Sequence, residues 1–154
     1  MKLDASERKI LDLLQQDGRM ANNKLAERVG LSDSPCFRRV KQLEQAGVIK
    51  GYVAIADQRL LGLDITAFVQ VTMKDHTNYD EAAFAQCVDD EDHIIECHAM
   101  SGSYDYLMKV VAKTMDHFSE IAMERILKFP GVKSIESSFN LKPMKQGHAL
   151  PTSE

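Results

Sequence analysis

"ANNKLAERVGLSDSPCFRRVKQLEQAGV", residues 21–48, decides the reading of this chain. Leu25, Ala26 and Val29 share one side of a short helix from Asn22 to Val29, with Asn22 placed to cap it. Gly30-Leu31 makes a turn, and Ser32-Asp33-Ser34-Pro35 opens a second helix. Ser34 suits its N-cap, and Pro35 suits its first position, where a missing N–H costs nothing. Gly47 ends it. At about 100° per residue, Cys36, Val40 and Leu43 lie together. Arg38, Lys41, Gln42 and Gln45 lie opposite, with Ser34 above them and Arg39 at the flank. A short helix, a glycine turn and a second helix with Arg, Lys and Gln outward is the helix-turn-helix pattern. Arg and Gln can make paired hydrogen bonds to base edges, while Lys and Ser can hold phosphates.

Upstream, Leu3, Ile10, Leu11, Leu13 and Leu14 recur at helical spacing over about residues 4–16, and Gly18 follows as a stop. That makes three helices. A solvated charged face explains any one of them. The three together, the short turn and the local charge favour DNA binding. The whole chain of 154 residues carries a net charge of −4, which by itself argues against a nucleic-acid partner. Residues 1–60, however, hold eleven Lys and Arg against eight Asp and Glu, a net of +3. Residues 61–154 hold eight against fifteen, a net of −7. A basic half joined to an acidic half points to two different tasks.

Val48 to Ile55 is β-rich and reads as a wing or a connecting strand, with Lys50 placed to reach a DNA backbone. Residues 57–64 mark a boundary. Beyond it, Ile65 to Met73 alternates as a strand with Ile65, Ala67, Val69, Val71 and Met73 on one face. Asp80 to Val88 is a short helix, Ile94 to Met100 a strand, and Tyr104 to Val111 its hairpin partner. Met115 to Phe129 is a helix with Phe118, Ala122 and Ile126 on one side. Pro130-Gly131 breaks it before a last strand, Val132 to Leu141. The order βαββαβ is ferredoxin-like, so the expected class is α+β: a three-helix helix-turn-helix domain followed by a ferredoxin-like domain. The expected boundaries are 1–50, a linker strand 51–64, the domain 65–142 and a polar tail 143–154 without structure. Such a sheet carries helices on one face only, and its other face needs cover. Phe68, Ile94 and Met100, mixed with Thr66, Gln70 and His98, are expected on that open face, which suits a partner subunit.

Four stretches resemble the Lrp/AsnC (leucine-responsive/asparagine-responsive) transcription regulators. They are Leu3-Asp4 with the helix through Leu14, "DGRMANNKLAERVGLSDSPCFRRVKQLEQAGVIKGY" at 17–52, "ECHAMSGSYDYLMKV" at 96–110 and "FPGVKSIESSF" at 129–139. The resemblance covers the chain in order. It implies a cytoplasmic regulator that binds double-stranded DNA and forms homodimers through the sheet, with assembly to octamers. It also implies a small amino-acid effector, leucine or another branched-chain or sulphur amino acid, bound at subunit interfaces. The implied DNA-contacting set is Asn22, Ser32, Ser34, Pro35, Arg38, Arg39, Lys41, Gln42 and Lys50. One departure is visible: Ala21 and Lys24 stand where the family often has a serine cap and an acid. Asn22 taking over the cap, with the helix start shifted past it, is expected to compensate.

The turn in the third stretch holds an acid beside glycine. An amino acid brings an ammonium and a carboxylate, and a site must satisfy both. The resemblance assigns effector binding to Met100, Ser101, Gly102, Ser103, Tyr104 and Asp105, with Thr114, Ser137 and Ser138 contributed by a neighbouring subunit. Ser101-Gly102-Ser103 would offer N–H groups to the carboxylate, Asp105 would accept from the ammonium, and Tyr104 or Tyr106 would cover the side chain. The residues alone leave another role open: Asp beside Gly-Ser commonly bonds the turn backbone, and two tyrosines on one strand face can simply pack together.

No catalytic set stands out. Cys97 and His98 are adjacent on a strand and so point to opposite faces. His76, His93, His117 and His148 are scattered and expected to be exposed, and the run Asp89-Asp90-Glu91-Asp92 reads as a solvated turn without the spacing of a calcium loop. No metal or other cofactor is expected. Three cysteines in unrelated contexts and the absence of a signal sequence or an apolar span fit a reducing, cytoplasmic setting. An architectural DNA-binding protein that senses no ligand is the alternative.

Overall fold

The computed structural model describes residues 2–74 and 80–152. The chain divides into two compact units, Met1–Ile55 with Lys145–Glu154, and Ala56–Met144.

The first unit contains α1 (Ala5–Gln16), α2 (Asn22–Val29) and α3 (Asp33–Gln45). Asp4 caps α1 through a reciprocal box: its carboxylate accepts from the Glu7 N–H at 2.8 Å, and the Glu7 carboxylate accepts from the Asp4 N–H at 2.9 Å. Ile10, Leu11, Leu25, Ala26, Cys36 and Leu43 form the buried core, as their spacing predicts. Gly30 ends α2 in the left-handed region at φ +85, where a side chain would be strained.

Three local readings are corrected. The N-cap of α3 is Ser32, not Ser34, so Pro35 is the third helical residue. Pro35 is tolerated there because the first N–H groups of a helix have no partner in the helix anyway. Ala21, not Asn22, occupies the cap position of α2, so the helix start is not shifted. The Asn22 side-chain amide donates instead to the Asp33 carbonyl at 2.9 Å, tying α2 to the start of α3. Residues 50–57 form no strand, and Val53 and Ile55 are exposed. A strand needs partners for its N–H and C=O groups, which β-propensity alone does not supply.

Residues 145–152 have no regular structure but belong to the first unit. The Gln15 amide donates to the Leu150 carbonyl at 3.0 Å and accepts from the Leu150 N–H at 2.6 Å.

The second unit contains β1 (Ile65–Met73), α4 (Glu81–Asp89), β2 (Ile94–Ala99), β3 (Tyr106–Ala112), α5 (Met115–Ser119) and β4 (Val132–Phe139). The sheet is antiparallel in the order β2-β3-β1-β4, the ferredoxin-like topology. Ala67, Val69, Val71 and Met73 face the helices with Met108, Val110 and Ala112 and meet Phe84, Phe118, Ile121 and Ile126. Each large side chain buried there contributes about 1.5–3 kcal/mol.

The last helix is not uniform. After Ser119 it widens into a π-helical turn, Glu120–Arg125, then tightens through a 3-10 turn, Ile126–Lys128. The Ile126 N–H reaches back to the Ile121 carbonyl, and the wider turn keeps Ile121, Ala122 and Ile126 buried together.

Ile94 does not lie on the open face. It stands opposite Val110 and packs into the core, because an irregularity between Ile94 and Glu96 shifts the register of β2. The open face carries Phe68, Gln70, Leu107, Lys109, Glu136 and Ser138 at paired register positions.

Candidate functional site

The outward face of α3 is built as its periodicity requires. Ser34, Arg38, Lys41, Gln42 and Gln45 are exposed, while Cys36 and Leu43 are fully buried. Burial pushes the Cys36 thiol up, aided by the Asp33 charge, so it serves as packing and not as a nucleophile. Arg39 is placed differently. Its guanidinium bonds Asp4 and lies 3.7 Å from Glu7, so it joins α3 to the capped start of α1. Hydrogen bonds from the Glu7 N–H and from Arg39 hold the Asp4 carboxyl below its ordinary range. Lys41 donates to Glu44 at 2.7 Å, and Glu44 also accepts from the Tyr52 hydroxyl at 3.2 Å. Ser32 and Lys50 are exposed, and Pro35 is half-buried.

Sequence reasoning passed over Phe37. Its side chain is 52% exposed, and the Lys41 ammonium lies 5.8 Å from its ring centre. An apolar residue three after Ser34 and four before Lys41 is the signal that marks it.

In the second unit, Ser101, Gly102 and Ser103 are exposed at the tip between β2 and β3, with Met100 exposed beside them and Tyr104 half-buried. Asp105 holds the base of the turn. Its N–H donates to the Val71 carbonyl at 2.9 Å, and its carbonyl accepts from the Met100 N–H at 2.8 Å. Its carboxylate accepts from the Met73 N–H at 2.7 Å. The β1–β3 ladder ends at Val71 and Tyr106, so the Asp105 side chain supplies the acceptor that the next rung lacks. The Tyr106 ring lies 4.6 Å from that of Phe84, on the helix side of the sheet. Gly102 has no positive φ, and a Cβ there would meet nothing within 4 Å.

The other expected effector residues do not gather at this turn. The Thr114 hydroxyl caps α5 by accepting from the His117 N–H at 3.1 Å. Ser137 stands opposite Val69 on the helix side, and Ser138 stands opposite Phe68 on the open face.

Cys97 and His98 point to opposite faces, opposite Met108 and Leu107 respectively. A cleft of about 350 Å³ between α4 and β2 is lined by Phe84, Val88, Ile95, Cys97 and Tyr106, among others. Burial pushes the Cys97 thiol up. His93 and His117 are neither scattered nor exposed: both are half-buried, with ring centres 4.6 Å apart. Glu91 is not a solvated turn residue. It is buried, accepting from Arg125 at 3.0 Å and meeting His93 Nδ1 at 3.0 Å. His76 lies outside the described residues. Among the described residues, no cluster of His, Cys, Asp and Glu could hold a metal ion, and no helix is long and apolar enough to cross a membrane.

Comparison with known proteins then decides the family. Residues 66–150 match the Lrp/AsnC ligand binding domain, and residues 3–50 match a winged helix-turn-helix DNA-binding domain.

The chain belongs to the Lrp/AsnC family.

The leucine-responsive regulatory protein of Escherichia coli (strain K12) is 36% identical over 148 residues, covering 96% of this chain and 90% of that one. Among solved structures, a transcriptional regulator of Neisseria meningitidis in complex with L-methionine is 37% identical. It superposes with a TM-score of 0.93 over 97% of each chain. An AsnC family transcriptional regulator from Agrobacterium tumefaciens is 32% identical, with a TM-score of 0.88 over 97% of each chain. This Lrp/AsnC chain thus joins a DNA-binding helix-turn-helix unit to a ligand-binding domain, the organisation of a ligand-responsive transcription regulator.

Proposed function

We propose that this chain is a sequence-specific, non-enzymatic transcription regulator of the cytoplasm, whose DNA affinity or assembly responds to a small amino acid. The outward face of α3 carries the reading: Ser34, Arg38, Lys41, Gln42 and Gln45 form one exposed polar surface on the second helix of a helix-turn-helix. Arg38 and Gln42 are assigned to base edges, and Ser32, Ser34, Lys41 and Lys50 to phosphates. Asn22, Pro35 and Arg39 set the geometry of α3, through the Asn22 bond to Asp33 and the Arg39 pair with Asp4.

The effector is assigned to the turn from Met100 to Asp105, where the backbone N–H groups of the exposed Ser101-Gly102-Ser103 can receive a carboxylate. Asp105 both shapes the turn and, with the several lone pairs of a carboxylate, can accept from an ammonium. Thr114, Ser137 and Ser138 are assigned to the neighbouring subunit's side of the site, with Ser138 on its open face and the Thr114 hydroxyl also capping α5. A relative bound to L-methionine supports a sulphur amino acid, and a relative named leucine-responsive supports a branched-chain one. A second copy over the open sheet face, covering the 38% exposed Phe68, gives the dimer, and dimers assemble to the octamer.

The test is a titration on DNA from the protein's own upstream region, at two salt concentrations and against a panel of amino acids. Selective, salt-sensitive binding shifted by one amino acid supports both halves, and the affinity ratio is the coupling free energy. Selective binding that no amino acid moves removes the sensing half. Binding without selectivity favours the architectural alternative.

A further inference from the structure

We infer that Phe37 reads thymine, by placing its ring against the C5-methyl group in the major groove. The inference rests on the DNA-binding role of α3 proposed above and adds a specificity-determining residue to it.

Three observations meet at this residue. First, Ser34, Phe37, Arg38 and Lys41 stand at spacings of three, four and seven along α3. Side chains so spaced form one continuous ridge on a helix. Phe37 is therefore part of the polar ridge and not beside it. Second, it is 52% exposed, whereas Leu25, Cys36 and Leu43, the core residues of the same two helices, are buried. An exposed ring gains nothing from burial until another surface covers it. Third, Lys41 holds its ammonium 5.8 Å from the ring centre. The apolar surface is thus bordered by a cation, as a surface that meets a polyanion requires. Of the acids nearby, Glu44 is engaged by Lys41 and Tyr52, and Asp33 stands at the first position of the helix, one turn before Phe37.

Within the major groove, the apolar feature that a base pair presents is the thymine methyl. Phe37 lies in the second turn of α3, near the N-terminal end that helix-turn-helix proteins direct at base edges. Arg38, its neighbour on the ridge, suits guanine, so the pair would read a thymine and a guanine on adjacent steps.

The experiment uses the full chain and the duplex protected in footprinting. Each thymine is replaced in turn by deoxyuridine, which removes the methyl and nothing else. Wild type, Phe37→Ala and Phe37→Leu are titrated on every duplex. The wild type is expected to lose about three- to tenfold in affinity at one or two thymines per half-site. Phe37→Ala is expected to bind the thymine duplex with a similar loss and to show no further loss on deoxyuridine. Phe37→Leu, which keeps an apolar contact, retains part of the preference and serves if the alanine variant folds poorly. A thymine preference that survives in both variants overturns the inference, as does a wild type indifferent to every methyl. A change of assembly state with the preference intact assigns Phe37 to a protein contact. Absence of selective binding in the wild type would refute the DNA-reading role itself, a result distinct from loss of methyl discrimination alone.

Discussion

Replacing Asp105 by alanine tests what the acid in the Ser101–Asp105 turn does. The Met73 N–H lies one step past the end of the β1–β3 ladder, in a residue only 3% exposed. Its partner is the Asp105 carboxylate at 2.7 Å. Alanine leaves that N–H without this acceptor. Removing a charged acceptor from a buried donor costs about 1.5–3 kcal/mol. For a domain of this size, about 4–8 °C is lost per kcal/mol, so the melting transition of the second unit should fall by roughly 6 °C or more. The two backbone bonds of Asp105, to Val71 and from Met100, do not depend on its side chain. The damage should therefore be local, and amide hydrogen exchange should speed up most at Met73. Asp105→Asn keeps an oxygen that can accept from Met73, so its loss should stay below about 1 kcal/mol. A variant with aspartate's shape but no charge then separates the two roles: loss of the amino-acid response in a stable Asp105→Asn assigns the charge to the ligand. An Asp105→Ala protein with wild-type melting and unchanged Met73 exchange would refute the structural role.

Arg38→Ala should weaken operator binding by about 1–3 kcal/mol with unchanged stability, whereas Arg39→Ala should also lower the stability of the first unit, by up to about 1 kcal/mol, because its pair with Asp4 is partly exposed. Paired binding and melting measurements distinguish them. Gly30→Ala should cost about 1–2 kcal/mol, since φ is +85 and nothing crowds the position, while Gly102→Ala should leave the melting temperature unchanged. Burial pushes the Glu91 carboxyl up, but bonds from Arg125 and His93 more than offset it and leave it below its ordinary value of about 4.3. Its contribution to stability is thus fully present above that value and is lost as pH falls through the lower, folded value. Denaturant midpoints across that range should fall more steeply in the wild type than in Glu91→Gln.

The helix-turn-helix was legible because its signals are local. Gly30 and Gly47 carry the left-handed conformations that end α2 and α3, and 3.6-residue periodicity separates Cys36 and Leu43 from Arg38 and Lys41. The alternation of β1 predicted its buried face correctly for the same reason. Motif resemblance at 17–52 and 96–110 then named the family, which the comparisons show.

What the sequence by itself could not determine are features set by partners distant along the chain. Ser32 and not Ser34 caps α3, a choice between two serines with one residue between them that propensity does not separate. Ile94 turns inward because one irregularity in β2 changes its face, and a period-two pattern carries no information on where such a slip occurs. Arg39 looks like a DNA contact until α1 brings Asp4 beside it, 35 positions away. Glu91 looks solvated until the turn after α5 presents Arg125. Asp105 occupies a turn in which ligand and backbone both want an acceptor; only the register of β1 against β3 shows that a backbone N–H is already there. Local chemistry wrote the helices and the face of β1, because neighbours in sequence are neighbours in those elements. Tertiary contact decided which charged groups bond within the fold and which remain on the surface.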